Sequence, residues 1–189
     1  MPNYIVATIH PWNIEAFKLY SKKLNGNWHL ITNKAELTVE TINNLNPDYI
    51  FFPHWSWIVP NDIINNWPCV CFHMTDVPFG RGGSPLQNLI IRGINKTKVS
   101  ALQMTEQLDA GPVYLKHSME LNGSAEDIFK QLALIIASMI TEIVTTKPTP
   151  IKQSGDIVCF ERRTPEQSEI PNNLSPEKLY DFIRMLDAP

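Results

Sequence analysis

His73 and Asp109 are the residues of this 189-residue chain whose types and settings point to acid–base chemistry. Histidine is the one side chain whose ordinary pKa lies near neutrality, so it can both give and take a proton at physiological pH. His73 closes the apolar run Cys69-Val-Cys-Phe72, and Met-Thr75-Asp-Val-Pro78-Phe-Gly80-Arg-Gly82-Gly83 follows. A strand end that delivers a titratable group into a glycine-rich turn is where open α/β sheets place their chemistry. Asp109 comes thirty-six residues later, in a second turn, Leu108-Asp-Ala-Gly-Pro112. If the two turns converge, the carboxylate would fix the orientation of the imidazole. The residues alone leave a plainer reading open: a histidine that satisfies its own loop and an aspartate that makes an Asx-turn. Cys71, two residues before His73, shares its predicted strand face. As a nucleophile it would need a lowered pKa, whereas burial in mid-strand raises it.

The elements that must position these groups read as alternating strands and helices. Residues 3–9 are β-rich, and a helical segment follows from about Trp12 to Leu24. Residues 28–32 form a second strand and residues 38–45 a helix. Tyr49 to Pro53 is a continuous apolar run, as expected of a strand buried on both faces. A helix over 61–66 leads to the His73 strand. Pro78, Gly80, Gly82 and Gly83 predict a loop. Ser84-Pro85 then predicts a helix start, with Ser as N-cap and Pro at N1, and Gly93 its end. Strands over 98–104 and 111–121 are predicted to pair antiparallel through the Asp109 turn. Ser124-Ala-Glu-Asp127 predicts a capped helix to about Val144, with Ile128, Leu132, Ile136, Met139, Ile140 and Ile143 on its core face. A strand over 156–160 and an amphipathic helix over 175–187 complete the chain. This βα alternation predicts an α/β, Rossmann-like open sheet, mostly parallel, with an antiparallel edge pair.

Composition bounds the partners. The net charge is −3, so no basic field holds a polyanion non-specifically, which counts against tRNA. The first strand is not followed by G-x-G-x-x-G, which argues against a dinucleotide. Three cysteines without a CxxC pair read as core thiols in a reducing cytoplasm, and no metal is expected. The longest apolar runs fall short of a membrane span, and no signal peptide is seen, so no membrane partner is expected.

His73, the following Thr-Asp-Val-Pro, Arg81-Gly82, and Leu-Asp-Ala-Gly at this distance resemble the folate-dependent formyltransferases. The resemblance covers roughly residues 45 to 170. That family includes methionyl-tRNA, glycinamide ribonucleotide and nucleotide-amino-sugar formyltransferases. The resemblance implies an enzyme that moves a formyl group from 10-formyltetrahydrofolate to a primary amine. It implies His73 as acid/base and Asp109 as its partner. The family pattern is Asn-x-His, with asparagine as the amide donor to the formyl oxygen; here that position is Cys71, a weak donor. Substitutes would be a backbone N–H of the 79–83 loop, His54, Gln87 or Asn88. His54, Trp55 and Trp57 would wall the pterin pocket, with Pro78, Leu108 and Gly111. Arg81, Gly82, Gly83 and Gln87 would meet the acceptor, because glycine-freed amides at a helix start favour anions. Residues 1–150 would form the catalytic domain and 151–189 a connecting strand, turn and helix, the start of a further C-terminal region. The expected acceptor is an amino sugar on a nucleotide, with methionyl-tRNA the alternative and a non-catalytic folate- or nucleotide-binding module a second one. A homodimer is compatible with all three.

Overall fold

The computed structural model describes residues 1–186; Asp187, where the last predicted helix would end, lies outside the described residues. Six strands form the main sheet: β1 (Asn3–Ala7), β2 (Asn27–Ile31), β3 (Tyr49–Phe52), β4 (Cys69–His73), β6 (Lys96–Gln103) and β7 (Val113–Glu120). Their order is β2-β1-β3-β4-β6-β7. The first four are parallel, whereas β4–β6 and β6–β7 are antiparallel. This is the predicted α/β arrangement with an antiparallel edge. The order steps outward on both sides of β1–β3, so β3 is central. That is why Ile50, Phe51 and Phe52 are all apolar and buried.

Helices cover both faces. α1 (Pro11–Tyr20), α4 (Pro85–Ile91) and α5 (Ala125–Thr146) contribute Phe17, Leu86, Leu89, Ile128 and Met139 to one core. α2 (Val39–Leu45) and α3 (Asn61–Asn66) contribute Ile42 and Ile63 to the other. Strand alternation divides β4 between them: Val70 and Phe72 face the first core, Cys69 and Cys71 the second. α5 begins with the expected capping box, in which Ser124 Oγ accepts from the Asp127 N–H and Asp127 Oδ2 from the Ser124 N–H. α5 differs from expectation in one respect. Its 22 residues are long and apolar enough to cross a membrane by length and composition alone. Its apolar stripe nevertheless packs on α1, β6 and β7.

The loop expected at 79–83 is instead a short strand, β5 (Phe79–Gly82), paired in parallel with β8 (Val158–Phe160). Its partner is far along the chain, so no local pattern announces it. Gly82 has φ +106°, and a Cβ there would lie 2.3 Å from the Phe160 carbonyl, so only glycine allows this approach. Ser84 does not cap α4 with its side chain. Its hydroxyl accepts the Arg163 N–H at 3.0 Å, so it ties the segment after β8 to the helix start. α1 ends at Tyr20, short of Leu24, in a turn. α6 (Pro176–Arg184) closes the described chain and packs Phe182 and Met185 into the first core.

Candidate active site

β4 carries His73 to the C-terminal edge of the parallel strands. The imidazole is 7 % exposed. Its Nε2 lies 2.7 Å from the Gly80 carbonyl oxygen. A carbonyl only accepts, so Nε2 carries hydrogen and donates. Thr75 Oγ1 donates to the same oxygen at 3.2 Å. Nδ1 lies 3.6 Å from Asp109 Oδ1, beyond direct hydrogen-bonding distance. The two turns do converge, across the face of β4 that also bears Cys71.

Asp109 is held from several sides. Its φ of +53° is left-handed, a conformation costly for any residue with a Cβ. Its Oδ2 accepts the Gly82 N–H at 2.9 Å. Its own carbonyl and that of Gly111 each accept from Gln153 Nε2 at 2.8 Å. Gln153 Oε1 in turn accepts from Arg81 Nε at 3.0 Å and Nη2 at 2.8 Å. Gln153 was not singled out by its sequence setting. A lone glutamine in a Pro/Lys stretch carries no local signal, and its meaning exists only once β5 and the Asp109 turn meet. Gly111 belongs to the same turn for a steric reason, because a Cβ there would fall 1.7 Å from the Gln103 carbonyl oxygen.

A second group of side chains gathers where β1 and β3 end. His10 and His54 stack at 4.2 Å, His54 lies 4.7 Å from Phe129, and Trp12 stacks on Phe129 at 5.6 Å. Trp55 and Trp57 meet edge to face at 4.9 Å, and Ile58 is 91 % exposed. Burial, then the neighbouring His10, pulls the His54 pKa down to about 4, so His54 is neutral at pH 7, and burial lowers His10 as well. Thr8 Oγ1, His54 Nδ1 and Trp55 Nε1 are buried without a hydrogen-bond partner among the described residues. Thr8 and Phe129 carry no local signal, since each looks like an ordinary strand or core residue, whereas His10 and Trp12 read from the sequence as shaping the loop after the first strand.

Other expected site residues fall differently. Gln87 Nε2 donates to the Met185 carbonyl at 3.3 Å, so it braces α6. The Gly83 N–H donates to the Phe160 carbonyl, and the Gly82 N–H to Asp109. The Arg81 guanidinium is held by Gln153. The anion-binding groups read at 81–83 are thus engaged within the protein, Gly83 by β8, Gly82 by Asp109 and the Arg81 side chain by Gln153. Asn88 Nδ2 faces the carbonyls of Gly83, Ser84 and Glu161, so it is no free replacement for the family asparagine. Pro78 follows a cis peptide bond, and Leu108 is 72 % exposed beside Asp109. Burial, then the Asp109 carboxylate, pushes the Cys71 thiol well up, and burial pushes Cys69 up to about 12. Neither is a thiolate at neutral pH. With a thiol reagent at pH 8, the exposed Cys159 should therefore react fast. The other two should react only on unfolding, and rapid native labelling of Cys71 would contradict this assignment.

A buried histidine–aspartate pair at the carboxyl edge of an open sheet, under a glycine turn, can move protons beside an acyl carbon. The chain belongs to the formyl transferase family, whose pattern it matches over residues 15–133. Residues 165–189 match the C-terminal domain of methionyl-tRNA formyltransferase. The methionyl-tRNA formyltransferase of Rickettsia felis is 30% identical over 146 residues, covering 74% of this chain and 48% of that protein. The chain thus spans about half the length of the curated relatives it matches. A methionyl-tRNA formyltransferase structure from Clostridium thermocellum is 51% identical with a TM-score of 0.97, over 100% of this chain and 84% of that one. An N-formyltransferase from Helicobacter canadensis, bound to folinic acid and dTDP-3-aminofucose, has a TM-score of 0.72. It is 14% identical, covering 98% of this chain and 80% of that one, and shares the fold alone.

These matches overturn two expectations. The preference for a nucleotide-linked amino sugar does not stand, because the relatives that match in sequence are methionyl-tRNA formyltransferases. Ranking tRNA as the lesser partner fails with it. A net charge summed over the whole chain says nothing about the charge of any one local surface.

Proposed function

We propose that this chain carries the formyl-transfer chemistry of a methionyl-tRNA formyltransferase, with 10-formyltetrahydrofolate as donor. The observation that carries the reading is the buried His73 and Asp109 pair beneath the Gly80–Gly82 turn. In the reaction, the methionyl α-amine attacks the formyl carbon and a tetrahedral oxyanion forms. The C–N10 bond then breaks, leaving the formyl group on the amine. One proton leaves the attacking nitrogen and one is delivered to N10 of the departing folate. We assign this transfer to His73 and the steering of its ring to Asp109. Trp55, Trp57 and His54, with Pro78, Leu108 and Gly111, are assigned here as the groups that would wall a flat heterocycle. Residues 1–150 would form the catalytic unit and 151–189 the connection onward, in a protein of the cytoplasm.

The test supplies methionyl-tRNA and 10-formyltetrahydrofolate and measures formylmethionine after deacylation. Formylation that depends on both substrates is the expected result. No product from a folded protein that binds the donor would overturn the acceptor, and no donor binding would overturn the reading as a whole.

A further inference from the structure

We propose that Gln153 is a positioning residue of this site: its carboxamide clamps the Asp109 turn to β5 and so holds the carboxylate at His73. The inference rests on the formyl-transfer reading for its kinetic consequence, but not for its structural one. The donor and acceptor chemistry allows only one orientation of the amide. Arg81 offers donors alone, so Oε1 must face it. Nε2 is then turned toward the carbonyls of Asp109 and Gly111, which only accept. Asp109 sits in a left-handed conformation, which aspartate tolerates better than most residues. Gln153 fixes the main chain on both sides of Ala110, and the Gly82 N–H fixes Oδ2. What remains free is Oδ1, the atom facing His73 Nδ1. The clamp also joins three distant parts of the chain, around residues 81, 109 and 153, at one side chain.

Gln153→Glu is the discriminating change. It keeps the length and the Arg81 contact, yet sets an acceptor against two backbone carbonyls. Gln153→Met keeps the bulk and removes both polar ends. A displacement of the reacting groups by about 1 Å can cost about 10²-fold in rate. Both variants should lose rate on that order in kcat, with a smaller rise in the donor KM, because Gln153 touches the proposed donor wall only through the Gly111 carbonyl. Heteronuclear NMR gives a readout that needs no substrate. The His73 ring signals and the Asp109 and Gly82 amide signals should shift in both variants, while β1 and β3 amides stay in place. Unchanged His73 and Asp109 signals would overturn the proposal. So would wild-type kcat in Gln153→Glu, or a loss confined to KM. A wild-type protein that formylates nothing would sink the functional reading, and the NMR result would still decide the clamp.

Discussion

Replacing His73 by glutamine is expected to lower the rate of formyl transfer by about 10²–10⁴-fold, the usual contribution of a positioned acid–base group. Glutamine is chosen because its amide can still donate to the Gly80 carbonyl, which His73 Nε2 now meets at 2.7 Å. The turn over Thr75–Gly82 therefore keeps its anchor, and the variant should fold. A carboxamide cannot take a proton from the attacking amine, so the proton-transfer step alone is removed. The loss should fall on kcat and kcat/KM together, with donor binding nearly intact. A rate close to wild type would remove His73 from the chemistry and leave it as a loop anchor. Alanine would be a poorer test, since it leaves the Gly80 carbonyl with the Thr75 hydroxyl alone and opens a space in a buried place, confounding folding with catalysis.

Phe51→Ala should cost about 3–5 kcal/mol of stability, as large-to-small changes of buried aromatic residues do. Against a total that is typically about 5–15 kcal/mol for a domain, that is a severe loss. Phe51 is fully buried in β3, which pairs with both β1 and β4. Its ring stands 5.6 Å from Tyr49 and 6.4 Å from Trp28 and from Phe72. These neighbours sit on three strands that cannot all close on the space left behind. Denaturant titration should show a lower midpoint with an unchanged slope. A loss below about 1 kcal/mol would mean that the site collapses and that the ring is not a keystone of this core.

The parts of the fold that were legible in the sequence are those fixed by neighbours in the chain. The run Tyr49-Ile-Phe-Phe52 reads as a central strand because it is apolar at every position. Ser124 and Asp127 read as a box because both partners lie within one turn. His73 and Asp109 were legible as candidates because each ends a strand in a Gly/Pro turn. What was not legible depends on contacts between remote segments. β5 reads as a loop until β8, nearly eighty residues away, supplies its ladder. Ser84 reads as an N-cap until Arg163 claims its hydroxyl. Gln153 has no meaning until Arg81 and Asp109 stand on either side of it. The acceptor was misread for a related reason: overall charge averages away the surface that recognises a partner.

The β5–β8 ribbon has only three paired positions, yet it closes a very long stretch of chain and carries the Gly82 amide that grips Asp109. Short pairings held by few contacts open at lower free energy than a six-stranded core does. The site and the scaffold therefore have separate thermal lives. On warming, the ribbon is expected to part before the main sheet and release the Gly82 N–H from Asp109, so activity should fall at a lower temperature than the helical signal; loss of both together would contradict this.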